Sequence, residues 1–246
     1  MTGTVNLLLL SNSTNEGQEW LEHAGDPIRD FLGPEPQTLL FIPYAAVTFS
    51  FDDYAARAAE KFGEWGYSLS SIHRASDPQA VVREAQGYIV GGGNTWHLVD
   101  LIYQQGIMEV LREQILTGKP YIGWSAGANI ACPTLQTTND MPVTRPPQFI
   151  TLGLIPFQIN PHYLDSHPQG HHGETREQRI LEYIRVNPGV SVAGLREGSI
   201  LRVTSHSVNL LGAQPVRIFK SGQSPAEYQP GDPLHFLLNE AGEMSL

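Results

Sequence analysis

The sequence predicts an α/β protein in which a mainly parallel β-sheet is covered by helices. Short apolar runs alternate along the chain with segments of helical periodicity, and this alternation is typical of successive β-α-β units. The chain has 246 residues, of which 41% are hydrophobic and 16% charged, so it is large and apolar enough to bury a full core. Because no repeat or linker interrupts the pattern, residues 1–246 are expected to form one domain.

Short apolar runs in the first half of the chain are predicted to be the strands of this sheet. They cover residues 5–10, 38–42, 68–72, 87–90 and 121–124. Helical periodicity between these runs predicts helices over residues 52–65 and 96–116. A further helix is expected to begin at Asp77-Pro78, because proline fits the first turn of a helix.

The second half of the chain begins with a polar, proline-rich segment, residues 132–147. So long a loop between compact elements is usually functional or mobile. A short strand over residues 157–160 is expected to end at Pro161-His162, followed by a helix over 174–186 and a strand over 191–195. From about residue 199 to residue 219 the pattern predicts a β-hairpin.

Charge and cysteine content exclude several classes of function. The formal net charge of −10 disfavours nucleic acids and anionic membranes as partners. A single cysteine, Cys132, permits no internal disulfide and favours a reducing compartment. The apolar run at the N-terminus lacks a basic start and is too short for a signal peptide, and no apolar stretch is long enough to span a membrane. We therefore expect a cytoplasmic protein.

The pentapeptide at residues 123–127, Gly-Trp-Ser-Ala-Gly, fits the G-x-S-x-G pattern of a nucleophile elbow. An apolar strand leads into it and a helix start follows, and the glycines admit a turn too tight for larger side chains. Although such a pattern also occurs in purely structural turns, its strand–turn–helix context favours a reactive serine at Ser125.

A serine hydroxyl needs a neighbouring base, and the base needs an orienting acid. His162 is the best-placed base, since it follows a predicted strand. Reacting groups gather at the carboxyl ends of strands in open α/β sheets. The alternative is that His162 is an ordinary histidine on a surface loop. Two residues compete for the acid. Asp140 lies in the long loop, where it could instead hold a substrate amine, whereas Glu197 follows the strand over 191–195 and is slightly favoured.

A glycine-rich loop over residues 91–95 follows the fourth strand and opens a helix. Its backbone N–H groups, at Gly92 or Gly93, suit an oxyanion hole completed by the N–H of Ala126. The other use of such a loop is phosphate binding, but the loop lacks both G-x-G-x-x-G and the P-loop lysine. A tight strand–helix turn is compatible with either use.

Histidines cluster after the strand over 157–160, at His162, His167, His171 and His172. The four-residue spacing of His167 and His171 suits zinc only on a helix, and the intervening proline and glycine oppose a helix. We therefore expect no metal there. At the start of the next helix, Arg176 or Arg179 could present a guanidinium to a carboxylate, although ion pairs on a solvated helix start would explain them too.

Six segments together resemble the peptidase E group of α-aspartyl dipeptidases in the S51 serine peptidase family, in the same order and over nearly the whole chain. They are residues 8–14, 90–95, 121–129, 137–142, 158–162 and 173–179. The match is weaker over residues 139–150 and after residue 220.

The resemblance implies a three-layer α/β/α fold similar to the class I glutamine amidotransferase domain, and hydrolysis of Asp-Xaa dipeptides without a cofactor. It implies Ser125 as nucleophile and His162 as base, and leaves both Asp140 and Glu197 open as the acid. For the aspartate side chain the expected cation is Arg176, with His171 or His172 nearby, and Asn94 is a further expected substrate-binding residue. A monomer or a homodimer is expected.

Two other functions remain open. An esterase or amidase of the α/β-hydrolase type also uses G-x-S-x-G, but that fold places its histidine near the chain end. The late histidine here, His235, follows a Pro-Gly-Asp-Pro segment typical of a surface loop, which argues against this function. A non-catalytic binder of an acidic metabolite is the alternative from another class. The intact set of Ser125, His162 and the two acids argues against it.

Overall fold

Two β-sheets flanked by helices make up the fold in the computed structural model, which describes residues 3–35, 37–165 and 173–239. The strands are β1 (Asn6–Leu10), β2 (Thr38–Ile42), β3 (Ser68–Ser71), β4 (Tyr88–Val90), β5 (Tyr121–Trp124), β6 (Gln158–Pro161), β7 (Val192–Leu195), β8 (Ile200–Thr204), β9 (Val208–Leu211), β10 (Val216–Phe219) and β11 (Ala226–Tyr228). The α-helices are α1 (Gly25–Leu32), α2 (Phe51–Glu64), α3 (Pro78–Glu84), α4 (Thr95–Gln104), α5 (Met108–Ile115), α6 (Ala126–Asn129) and α7 (Arg176–Val186).

The larger sheet has the strand order β3-β2-β4-β5-β1-β8-β9. Its first five strands are parallel, whereas β8 and β9 add an antiparallel hairpin at the β1 edge. The predicted α/β class with a mainly parallel sheet is therefore confirmed. In such a sheet the carboxyl ends of the parallel strands meet at one edge, which is where ligands bind.

Alternate residues of the central strands pack on opposite faces of this sheet. Leu7 and Leu9 belong to a core cluster that includes residues of α4 and α5, whereas Leu8 and Leu10 belong to a second cluster with residues of α1 and α2. Successive side chains of a strand point to opposite faces. The unbroken run of leucines therefore reflects a strand covered by helices on both sides, as in a three-layer α/β/α sandwich.

The second sheet has the order β11-β10-β7-β6, with β6 and β7 parallel and β10 antiparallel to β7. The sequence predicted its strands over residues 157–160 and 191–195 but assigned them to a single sheet. Apolar runs identify strands without identifying their partners, because pairing is set by contacts between residues far apart in the chain.

The helices differ from the prediction in two places. The helix expected over residues 96–116 is two helices, α4 and α5, because Gly106 between them adopts the left-handed region with a φ of 64°. Helix α1 was not predicted. Within the described part of the chain, no helix combines the length and apolarity needed to cross a bilayer.

Candidate active site

Ser125 lies at the sharp turn between β5 and α6. Its φ of 53° and ψ of −111° are rare for a residue other than glycine. A Cβ atom on Gly123 would lie 2.3 Å from the carbonyl oxygen of Gly127, and one on Gly127 would lie 2.2 Å from that of Val90. The two glycines of the pentapeptide are therefore required by the close approach of backbone to backbone that presents the serine.

Ser125, His162 and Glu197 form one chain of hydrogen bonds. The Ser125 Oγ lies 2.9 Å from the His162 Nε2, and the His162 Nδ1 lies 2.7 Å from the Glu197 Oε1. His162 directly follows β6, and Glu197 follows the neighbouring parallel strand β7. The parallel pairing brings these two residues to the same edge of the smaller sheet, beside the elbow of the larger one.

Ser11 joins the two sheets at this point. Its buried hydroxyl accepts a hydrogen bond from the backbone N–H of His162 at 2.9 Å and donates one to the carbonyl oxygen of Leu195 at 2.7 Å. Ser11 directly follows β1, so the end of β1 fixes the positions of both the histidine and the strand before Glu197. Sequence reasoning gave this serine no role, although a polar residue directly after a run of buried leucines was a usable signal.

Asp140 lies in the same region but does not join this chain of hydrogen bonds. Its Oδ2 accepts hydrogen bonds from the N–H of Thr95 at 2.7 Å, from the Thr95 hydroxyl at 2.6 Å and from the Thr138 hydroxyl at 3.0 Å. Both ring nitrogens of His162 are occupied by Ser125 and Glu197. Asp140 is thus a carboxylate bound at the N-terminus of α4, where the helix dipole favours negative charge.

A cleft of about 600 Å³ opens over Ser125 and His162. Asp140, Gly92 and Gly93, which the sequence named as candidate site residues, also line it. The cleft is also lined by residues that sequence reasoning did not single out: Ser13, Thr14, Trp20, Phe49, Asp53, Tyr54, Arg57 and Trp124.

The glycine-rich loop, residues 91–95, places backbone that carries no side chains next to Ser125. A Cβ atom on Gly92 would lie 3.0 Å from that of Ser125, and one on Gly93, whose φ is 139°, would lie 2.2 Å from the carbonyl oxygen of Ala45. Among the described residues, the N–H groups of Gly92 and Gly93 donate no hydrogen bond. Ala126 is the first residue of α6, where N–H groups lack partners within the helix. These donors lie beside the nucleophile, where an oxyanion would form.

Arg176 begins α7 and is half-buried, and its Nη1 has no hydrogen-bond partner within the described part of the chain. Burial is the main factor that lowers the pKa of Arg176, with a contribution from Arg179, while the carboxylates of Glu197 and Asp140 act in the opposite direction. Arg176 thus interacts electrostatically with Glu197 and Asp140, although it is not among the residues that line the cleft. Arg179 instead lies 3.8 Å from Glu174 on the exposed side.

The remaining predicted residues are placed as follows. Asn94 caps α4, because its Oδ1 accepts from the N–H of His97 at 3.1 Å and its Nδ2 donates to the carbonyl of Met141 at 2.8 Å. Both ends of its side chain are thus in use, and its role in substrate binding stays a prediction. His171 lies outside the described residues, as do His167 and His172. Over residues 3–35, 37–165 and 173–239, no three histidine, cysteine or acidic side chains group as metal ligands would.

The chain matches the model of peptidase family S51 over residues 7–211. It is 47% identical to a peptidase E of Streptomyces coelicolor over 240 residues, and the match covers 97% of each chain. It is 43% identical to a peptidase E of a Nostoc species over 235 residues, and the match covers 96% of this chain and 97% of that one. A solved peptidase from an acI-B1 actinobacterium shares the fold, with a TM-score of 0.66 at 16% identity over 95% of this chain and 98% of that one. The resemblance seen in the sequence is confirmed: the chain belongs to peptidase family S51 and is a serine peptidase.

Proposed function

We propose that the protein hydrolyses dipeptides with an N-terminal aspartate, Asp-Xaa, through an acyl-enzyme on Ser125. The observation that carries the proposal is the Ser125–His162–Glu197 chain of hydrogen bonds, which lies at the wall of an open cleft in a member of a serine peptidase family. A serine with a base and an orienting acid at these distances has the geometry of an activated nucleophile.

In the first step the neutral His162 donates its Nδ1–H to Glu197 and accepts the Ser125 proton at Nε2. The Ser125 oxygen bonds to the peptide carbonyl carbon, and the oxyanion is held by the N–H groups of Gly92 or Gly93 and Ala126. Glu197 stabilises the imidazolium that forms.

In the second step His162 donates this proton to the peptide nitrogen, the C–N bond breaks and the amino acid Xaa leaves. A water molecule then gives one proton to His162 Nε2 while its oxygen attacks the aspartyl ester. The Ser125–carbonyl bond breaks, the serine oxygen takes the proton back from His162, and aspartate is released.

The preference for aspartate is assigned to Arg176. The unpartnered Nη1 of a half-buried guanidinium is a donor that the aspartate carboxylate would satisfy, and a guanidinium binds a carboxylate in a bidentate fashion. Asp140 lines the cleft, and its second carboxylate oxygen, which accepts no hydrogen bond from the described residues, suits the α-ammonium of the substrate. Glutamate, one methylene longer, would place its peptide bond away from Ser125, and a mismatch of this kind typically changes kcat/KM by about 10- to 200-fold.

Replacing Arg176 with Ala should remove the aspartate preference while Ser125 stays reactive. We expect kcat/KM on Asp-Leu to fall by about 100-fold, because a charge-assisted contact of roughly 3 kcal/mol is lost. Labelling by a fluorophosphonate probe should persist. Arg179→Ala, one helical turn away, is the matched control. Unchanged kinetics on Asp-Leu in Arg176→Ala would refute the assignment.

The function itself is tested by offering wild type and Ser125→Ala the dipeptides Asp-Leu, Glu-Leu, Leu-Asp and Leu-Leu, with and without a chelator. The proposal predicts chelator-resistant cleavage of Asp-Leu by the wild type alone. Cleavage of all four dipeptides at similar rates would leave a peptidase without the proposed specificity. If wild type cleaves none of them, the Asp-Xaa proposal is wrong.

A structural contact and a labelling experiment separate the alternatives. An α/β-hydrolase-type esterase would take its base from the end of the chain, but the His235 Nδ1 accepts a hydrogen bond from the N–H of Val208 at 3.3 Å, on β9. This contact argues against that reading. A binder of an acidic metabolite would give no labelling of Ser125 by a serine-reactive probe.

A further inference from the structure

Two residues of the proposed triad of Ser125, His162 and Glu197 have a backbone conformation that must be held in place. Ser125 and His162 both have a φ of 53°, in the left-handed region that residues other than glycine enter only with strain. The N–H of Ser125 donates to the carbonyl oxygen of Leu10 at 3.0 Å, and the N–H of His162 donates to the hydroxyl of Ser11 at 2.9 Å. Two successive residues at the end of β1 therefore hold the serine and the histidine.

Glu197, the third member of the triad, is less restrained. Its side chain is 52% exposed, and among the described residues its only side-chain hydrogen bond is the one to His162. Its backbone lies in a turn that is closed by a hydrogen bond from the Ser199 N–H to the Arg196 carbonyl oxygen, at 3.0 Å. Gly198 in this turn has a φ of 84°, which favours glycine. The direction of the Glu197 side chain thus depends on how the turn is held.

Asn12, the residue after Ser11, holds that turn. It is 2% exposed, and its Oδ1 accepts a hydrogen bond from the N–H of Gly198 at 2.8 Å. Its Nδ2 donates to the carbonyl oxygen of Thr14 and to the Oδ1 of Asn15, both at 2.8 Å. These two bonds orient the amide so that its oxygen faces the turn. A buried amide that is bonded at both ends has a fixed position.

We infer that Asn12 is a positioning residue that acts through Glu197, because it holds the turn over residues 196–199 where the carboxylate meets the Nδ1 of His162. Since the two preceding residues hold the serine and the histidine, the end of β1 aligns all three members of the triad. The inference rests on the proposed function, from which it takes the roles of the triad, but it does not depend on which dipeptide is the substrate.

The inference is tested with a double-mutant cycle on Asp-Leu hydrolysis, in which Asn12→Ala is introduced into wild type and into Glu197→Ala. In wild type, Asn12→Ala should lower kcat by about 10- to 100-fold and change KM by less than about threefold, because the carboxylate is displaced from the histidine. In Glu197→Ala the same substitution should change kcat by less than about threefold, because no carboxylate is left to position. A residue that only supports the fold would lower kcat equally in both backgrounds.

Thr151→Val is the matched control for the loss of a buried hydrogen bond. Thr151 is 3% exposed, and its hydroxyl donates to the carbonyl oxygen of Cys132 at 2.6 Å. This variant should lower Tm without lowering kcat. If thermal unfolding shows that Asn12→Ala is not folded, the cycle is run with Asn12→Ser, whose hydroxyl lies too near the backbone to reach the N–H of Gly198. The same pattern is expected.

Two results would overturn the inference and leave the proposed function intact. An equal loss of kcat in wild type and in Glu197→Ala would show that Asn12 does not act through Glu197. An unchanged kcat would show that the turn is held without Asn12, and a raised KM beside it would point to Thr14, which lines the cleft.

The failure of the proposed function gives a different result. If wild type does not cleave Asp-Leu, the Asp-Xaa proposal is wrong, and the cycle is measured instead as the rate at which a fluorophosphonate probe labels Ser125. The same dependence on Glu197 is expected there. If the probe does not label wild type either, the triad is inactive and the inference fails with the function.

Discussion

Glu197 and Asp140 are both carboxylates close to the serine, but their surroundings differ. The Glu197 Oε1 contacts the His162 ring and the side chain is 52% exposed, whereas one oxygen of Asp140 accepts three hydrogen bonds from threonines. An acid that orients a catalytic histidine must contact the Nδ1 position. On geometry, Glu197 is the better candidate for that role.

Exchanging each carboxylate for its amide distinguishes the two roles. We expect Glu197→Gln to lower kcat on Asp-Leu by at least about 100-fold with little change in KM, because the imidazolium loses its stabilising charge. Asp140→Asn should preserve the hydrogen bonds from Thr95 and raise KM, because the substrate ammonium loses its partner. Steady-state kinetics on purified variants measure both effects. A large loss of kcat in Asp140→Asn with near-normal Glu197→Gln would reverse the assignment.

At the scale of elements, the ends of the helices are set by local chemistry. The capping box of α7 joins Thr175 and Gln178, and α2 ends in a Schellman motif, in which Tyr67 N–H bonds to Phe62 O and Gly66 N–H to Gly63 O. Gly66 has a φ of 88°, a region that other residues enter only with strain.

Two glycines at the end of α2 should respond oppositely to alanine. Gly63 lies inside the helix in open space, so Gly63→Ala should stabilise the protein by about 0.5–1 kcal/mol. Gly66→Ala, also in open space but at positive φ, should destabilise it by about 1–2 kcal/mol. For a chain of this size each kcal/mol shifts Tm by about 2–4 °C, which thermal unfolding resolves. Equal shifts in the same direction would contradict the backbone explanation.

At the scale of the whole molecule, the active site depends on how the smaller sheet is held. Arg196, which precedes Glu197, pairs with both carboxylate oxygens of Asp165, at 2.8 and 2.6 Å, and with both of Glu227, at 2.9 and 2.8 Å. Asp165 lies three residues beyond His162. This network ties the segments that follow β6 and β7 to β11.

The network predicts a dependence of stability on pH. The hydrogen bonds from Arg196 hold the pKa of Asp165 below its ordinary value of 3.8. A carboxylate with a depressed pKa in the folded state contributes stability above its unfolded pKa, and this contribution is lost as pH falls through the folded value. Asp165→Asn should therefore lower Tm at pH 7 by about 2–4 °C, because a half-exposed ion pair contributes roughly 1 kcal/mol to the free energy of unfolding. The difference from wild type should shrink below about pH 4.

Thermal unfolding of both proteins from pH 7 to pH 3 measures this difference. Glu60→Gln is the control, because Glu60 lies on the exposed side of α2 and forms no ion pair with the other described residues. A difference between Asp165→Asn and wild type that is constant down to pH 3 would show that the ion pair contributes nothing.

The sequence by itself determined the α/β class, the parallel strands and the elbow at Ser125, because these depend on periodicity and on glycines needed within a few residues. It also gave His162 as the candidate base and two residues as candidate acids. Strand partners depend on contacts across the chain, so it assigned one sheet where the structure has two.

Only the tertiary structure decided which carboxylate reaches His162, because residues 125, 162 and 197 meet only when the two sheets are joined through Ser11. It also decided that Arg57 and Trp20, far apart in the chain, stack on each other and line the same cleft as Ser125. Cation–aromatic stacking leaves no periodic trace in a sequence. Distance and orientation arise from packing, and packing is a property of the whole fold.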